Sequence, residues 1–180
     1  MADEDYDVVL LVEQALTEAD ARQVRSLHEG LEEPVTYHVL LPAEDAAARV
    51  EAAMGTIGTH DMVPGPAVTM PPPDLAEIAE ESKAQADTDL AATLAALQAA
   101  GASAVGQVVG EHPIDALEAK VKEVDGREAI ILTASHTVAE FFHVDWTSQA
   151  RRKIGVPVLH LLERETFDEQ AGGGEGATLI

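Results

Sequence analysis

Asp7-Val8-Val9-Leu10-Leu11-Val12 is the stretch from which the fold is read. A strand with one wet face alternates apolar and polar residues. This run does not alternate, which suits a strand buried on both faces, as in a parallel sheet sandwiched by helices. The residues after it agree. Thr17 offers an N-cap with Asp20 at capping-box spacing, a shorter partner there than Glu. The predicted helix runs to about Glu29, with Gly30 as its stop. Val35 to Leu41 is a second strand, ended by Pro42, and Ser103 to Val109 a third, closed by Gly110. Pro113 stands where a helix begins, and Ile114, Leu117, Val121 and Val124 share one face of it before Gly126. Ala129 to Thr133 is a fourth strand, and a helix from about Thr147 to Ile154 stops at Gly155. Val156 to Leu162 is the fifth, with Pro157 near its start. Strand and helix alternating in this way predict an α/β fold, a five-stranded parallel sheet with helices on both faces.

The 180 residues suit a single domain, placed at 1–165, with 166–180 as a Gly-rich tail (Gly172-Gly173-Gly174-Glu175-Gly176) expected to be mobile. The 33 acidic residues outnumber the 11 basic ones, for a net charge of −22, a field that repels nucleic acid and anionic membranes. Neither is expected as a partner. With no cysteine, disulfides, thiol nucleophiles and Cys-rich zinc sites are excluded. The N-terminus is acidic, and no apolar run reaches the roughly 20 residues of a membrane span. A soluble, cytoplasmic protein is expected.

Residues 43–73 form a long insertion after the second strand: a short Ala-rich helix from Glu44 to Met54, then a Gly/Pro-rich loop ending in Pro71-Pro72-Pro73. A long Ala-rich helix follows from about Asp74 to Ala100, with Gly101 at its end. The insertion leaves the carboxyl end of the second strand, the side on which open α/β sheets bind ligands. It either folds over that cleft or is a surface excursion.

From Ser103 onward the chain resembles the universal stress protein family, within the adenine-nucleotide hydrolase-like superfamily. The resemblance rests on Val108-Val109-Gly110-Glu111-His112-Pro113-Ile114-Asp115-Ala116-Leu117, on the strand Ala129 to Thr133 with its long loop and helix, and on Gly155-Val156-Pro157-Val158-Leu159. It covers the C-terminal 80 or so residues well, and the first 42 by element order alone. It implies the strand order 3-2-1-4-5. Members of the family that bind ATP carry Gly-x2-Gly-x9-Gly-Ser/Thr after the fourth strand, where glycines let backbone amides close on phosphates. The matching stretch here, Thr133 to Ser148, contains no glycine, and the turn after the first strand reads Glu13-Gln14-Ala15. The resemblance therefore implies the fold without family-typical ATP binding, and no cofactor is expected. The alternative is ATP or AMP, with Mg. The positions that would line such a site are Val12, Glu13, Leu40, Gly110 and His112, then Thr133, Ala134, Ser135 and His136, then Trp146, Thr147 and Ser148.

His136, His143 and Asp145 form the sharpest chemical cluster, suited to a metal or to acid–base work. Phe141, Phe142 and Trp146 fall among them, three of the chain's six aromatics, which favours a packed hydrophobic plug. His60 and His112 could join a site across loops, but no pair has the spacing of a helical metal motif. Thr147 and Ser148 read as helix caps, and Arg151-Arg152-Lys153 as cations at a helix end. His38 and His160, inside strands, are expected to have satisfied nitrogens. The last strand would lie at a sheet edge, where a second copy can pair. Similar proteins form homodimers there, and Val158, Leu159, His160 and Leu161 are the expected interface. The resulting expectation is a non-catalytic dimer of stress or regulatory role. Its alternatives are a regulator holding an adenine nucleotide or similar small molecule, and an enzyme using His136, His143 and Asp145; a further protein or small-molecule partner stays unspecified.

Overall fold

A computed structural model describes residues 5–43, 75–110, 112–133 and 150–162. The expected short helix at 44–54, the rest of the insertion, the aromatic plug and the tail lie outside these residues, as do Ala134, Ser135, His136, His143, Asp145, Trp146, Thr147 and Ser148. Five strands, β1 (Tyr6–Val12), β2 (Val35–Pro42), β3 (Ser103–Val109), β4 (Glu128–Thr133) and β5 (Val158–Leu162), form one sheet in the order β3-β2-β1-β4-β5. Every neighbouring pair is parallel. The order expected from the resemblance is the order found. Three helices stand among the described residues, α1 (Glu18–Ser26), α2 (Leu75–Ala99) and α3 (Pro113–Glu123), and residues 150–153 are also helical. None of the described helices is long and apolar enough to cross a membrane.

The apolar run of β1 divides between two cores. Val8, Leu10 and Val12 meet Ala21 and Val24 of α1 and Ala86 and Leu97 of α2. Val9 and Leu11 meet Ile114, Leu117 and Val121 of α3, with Ala150 and Ile154. A strand flanked on both sides has no polar face to show. Both cores are aliphatic apart from Tyr37.

Local chemistry sets the helix ends. Thr17 caps α1 with a full capping box: its Oγ1 accepts from the Asp20 N–H at 3.2 Å, while Asp20 Oδ2 accepts from the Thr17 N–H at 3.0 Å. α1 stops at Ser26, four residues before Gly30, and turns carry the chain between them. At the end of α2, Gly101 takes a φ of +80°, and the Ala102 N–H reaches the Leu97 carbonyl at 2.9 Å, a Schellman closure. α3 closes in the same manner, but the left-handed residue is Asp125 (φ 52°), one before the expected Gly126. Gly126 serves packing instead: a Cβ there would lie 3.3 Å from Val9 Cγ2.

Candidate functional site

All five strands point their carboxyl ends to one edge, and the strand order turns at β1, between β2 and β4. That is where an open α/β sheet leaves a crevice. Two ties shape it. The Glu13 N–H donates to the Leu132 carbonyl at 3.2 Å, carrying the chain from β1 across the end of β4. The Leu16 N–H donates to Thr93 Oγ1 at 3.1 Å, in the core, pinning the β1–α1 loop to the C-terminal half of α2. Thr93 completes the relay by donating to the Asp89 carbonyl at 2.8 Å.

The loop, the end of β2 and the N-terminal half of α2 enclose a cavity of about 380 Å³. Glu13 and Gln14 come from the loop, Leu41 and Pro42 from β2, and Glu81, Ser82, Gln85, Ala86 and Asp89 from one face of α2. The α2 positions recur at three- and four-residue spacing, so one face supplies them all. Gln85 donates to the Asp89 carboxylate at 2.8 Å, while Ser82 and Ala86 are buried. The described lining thus carries three carboxylates and no Lys or Arg. The amides at the start of α1, a ready anion site in many folds, are partly taken by the Thr17–Asp20 box, which puts a carboxylate there.

The expected ligand positions fare unevenly. Glu13 lines the cavity. Val12 ends β1 beside it, but its side chain is wholly buried in the α1–α2 core. Leu40 does not belong: strand parity sends it to the α3 core, and Leu41 lines the cavity instead. Thr133 is buried, with its hydroxyl 2.8 Å from His160 Nε2. Gly110 and His112 are exposed; His112 precedes α3 and makes no side-chain cap bond. No group of three or more metal-ligating side chains occurs among the described residues.

His38 and His160 both have partners, as expected: His38 Nε2 meets Asp7 Oδ1 at 2.6 Å. On β5, Val158, Leu159 and His160 are half-buried, whereas Leu161 is 2% exposed and committed to the α1–α2 core. Leu161 therefore has no side-chain surface to give a partner chain. Lys153, from the basic trio, pairs with Asp115 of α3 at 2.6 Å. That hydrogen bond and the Lys153 charge hold the Asp115 carboxyl below its ordinary range and raise the Lys153 ammonium above its own.

A second polar cluster, at the amino edge of the sheet, carried no sequence signal. His28 is 5% exposed. Its Nε2 bonds the Glu128 carboxylate, and its Nδ1 bonds the Tyr37 hydroxyl at 2.8 Å, which also reaches the Val24 carbonyl at 3.4 Å. Tyr6 and Tyr37 flank the imidazole, with centroids at 5.8 and 5.5 Å. Burial, aided by the Glu128 charge, pushes the Tyr37 hydroxyl up to about 12 and raises Tyr6 as well. The arrangement joins the turn after α1 to β2 and β4.

No protein-family model and no curated protein matches the chain. Solved structures do. A universal stress protein from Lactobacillus plantarum aligns over 89% of this chain and 99% of its own, at 13% identity and a TM-score of 0.53. One from Archaeoglobus fulgidus, in complex with dAMP, aligns over 86% and 97% at 14% identity and a TM-score of 0.50. One from Arabidopsis thaliana, with AMP bound, aligns over 88% and 92% at 12% identity, again at 0.50. At such identities the likeness is one of architecture. The chain has the universal stress protein fold.

Proposed function

We infer that the protein is a non-catalytic, dimeric regulatory module of this fold, whose cleft does not take ATP. The observation that carries this reading is the acidic cavity wall of Glu13, Glu81 and Asp89. A phosphate charge about 6 Å from one carboxylate is repelled by about 0.7 kcal/mol in water-like surroundings, and by about 3 kcal/mol at an effective dielectric of 20. At the lower value, three carboxylates cost about 2 kcal/mol per phosphate charge, about 30-fold in affinity, and a triphosphate multiplies that. The glycine-free stretch from Thr133 to Ser148 agrees, since close amide approach to phosphates normally calls on glycine.

Dimerisation is proposed through β5, at one end of the sheet order, with Val158, Leu159 and His160 half-buried. Native mass spectrometry of protein purified without added ligand, then titrated with ATP, AMP and cyclic AMP in magnesium, tests both parts. A bare dimer that takes up none of the three is expected. Stoichiometric ATP would overturn the reading of the cleft. A monomer, or a dimer that survives Leu159→Lys, would overturn the reading of β5.

A second reading is a regulator that holds an adenine monophosphate, favoured by the dAMP and AMP bound in two proteins of the same architecture. It predicts uptake of AMP without ATP in the same titration.

A further inference from the structure

The sheet has two edges, and β3 forms the one away from β5. An edge strand offers unpaired amides and carbonyls, and proteins usually blunt it with a charge, a proline, a bulge or a covering segment. β3 (Ser-Ala-Val-Gly-Gln-Val-Val) holds no charge and no proline, and it pairs with β2 residue by residue without a bulge. Val105, at 54%, is the most exposed large apolar side chain among the described residues. The lack of charge extends beyond the strand. From Leu90 to Gly110 the chain has no Asp, Glu, Lys or Arg, although these make up 24% of it. That stretch is the C-terminal part of α2 together with all of β3, and the two pack on each other.

The backbone decides what can pair there. The Ala43 N–H donates to the Val109 carbonyl at 2.9 Å, so Val109 turns its backbone groups toward β2. These groups alternate sides along a strand, so Val105 and Gln107 do the same, while Ala104, Gly106 and Val108 turn theirs outward. No described residue bonds them on that side. The three positions are symmetric about Gly106. An antiparallel copy of β3 therefore meets them pair for pair, Gly106 opposite Gly106 and Ala104 opposite Val108, with both hydrogen bonds made in each pair. On the face away from α2, exposed Val105 then lies beside Gln107 of the second copy. On the α2 face, Leu90 stands against Gly106, where a Cβ would be. With no side chain at the axis, Leu90 and half-buried Leu94 of both copies can close over it. The charges on that flank of α2, Lys83 and Asp87, pair with each other at 3.0 Å.

We propose that β3 is a self-association edge, pairing antiparallel with β3 of a second copy about a two-fold axis at Gly106. Such a contact is isologous, each copy giving the other the same patch. Two bodies of net charge −22 repel, and they meet most readily where neither carries a charge. The repulsion is long-ranged while the contact is uncharged, so association strengthens with salt, the reverse of an ion-paired interface. The edge lies at the other end of the sheet from β5 and does not depend on pairing there.

The chain has no cysteine, so an introduced pair reads the register directly. The full chain carrying Val105→Cys and Gln107→Cys is oxidised in KCl at about 0.1 M and about 1 M, between which the screening length falls from about 10 to about 3 Å. Each new thiol then faces its counterpart on the second copy. Gln107→Cys alone leaves its two thiols on a diagonal of about 7–8 Å, beyond disulfide reach. Intermolecular disulfides should form in the double variant, more at the higher salt, and only weakly in the single one. Adding Leu159→Lys should leave the yield unchanged, which separates this edge from β5. Sedimentation of the parent should show its low-salt mass doubling at the higher salt. Val105→Glu, at an exposed position, should keep the low-salt mass and the parent's thermal midpoint. The Ala104, Gly106 and Val108 amides should exchange at least about tenfold more slowly once associated. Equal cross-linking by the single variant, association by Val105→Glu as by the parent, or association that weakens with salt would each overturn the proposal. So would slowing of these amides by a synthetic alternating Lys-Val peptide without self-association, which would give the edge to a foreign strand.

Discussion

Replacing Thr93 by Val tests how the cleft is held in shape. The side chains are nearly isosteric, so the change opens no cavity and isolates the hydroxyl. That hydroxyl is the acceptor for the Leu16 N–H at 3.1 Å, with Thr93 0% and Leu16 5% exposed. Without it, the Leu16 amide is left buried and unbonded, at a cost of about 1 to 3 kcal/mol. In a chain of this size, 2 kcal/mol corresponds to about 4–8 °C in midpoint. Thr93→Ser keeps the acceptor and loses one methyl, so it should cost about 1 kcal/mol. Urea unfolding gives the energies, and hydrogen exchange gives the cause. The Leu16 amide should be protected in the parent and in Thr93→Ser, and should exchange at least tenfold faster in Thr93→Val, the ratio expected for 1.4 kcal/mol. The reasoning fails if Leu16 exchanges alike in all three, or if Thr93→Ser is as damaging as Thr93→Val.

Two further perturbations follow from the packing. Tyr37 ionises near 12 when folded against an ordinary value of 10.0, so the unfolded chain loses its proton first. Stability should be flat in this group below pH 10 and fall by about 2 to 3 kcal/mol as pH rises from 10 through 12. Urea unfolding at pH 9 and pH 11 should show the loss, reduced in Tyr37→Phe to the share carried by Tyr6; an unchanged slope in that variant would refute the assignment. For Gly106→Ala, the added Cβ would stand 2.7 Å from Leu90 Cδ1 and 2.9 Å from the Val39 carbonyl oxygen. The leucine can turn but the Val39 carbonyl in the ladder cannot, so β2 and β3 must shift apart, at about 1 to 3 kcal/mol. A urea midpoint within error of the parent would show that the contact is slack.

Much of the fold was legible in the sequence because its signals are local. The Thr17–Asp20 box, Pro113 at a helix start and Gly101 at a helix end act within a few residues, and each stands where it was read. The strand order was not legible from alternation; it came with the family resemblance. Parity was the weakest point. In a strand apolar on both sides, nothing marks which face a residue takes, and so Leu40 was chosen where Leu41 lines the cavity. Thr93 escaped notice because one hydroxyl in an Ala-rich helix looks like solvent-side filler, while its partner lies 77 residues away. His28 escaped for the same reason, its contact with Glu128 spanning 100 residues.

Glu13 shows how far a shared fold carries a shared ligand. An open α/β sheet directs its strand ends and the following loops toward one edge whatever the side chains are, so the crevice is inherited with the topology. What enters it depends on a handful of loop and helix residues that the core does not constrain. Glu13, Glu81 and Asp89 project from such positions, and exchanging them for Gln, Gln and Asn would leave both cores untouched. If these three charges are what excludes phosphate, the triple exchange should let AMP bind measurably without changing the thermal midpoint. If AMP stays out at unchanged stability, the three carboxylates are not the barrier, and the glycine-free stretch from Thr133 to Ser148 is the next to exchange.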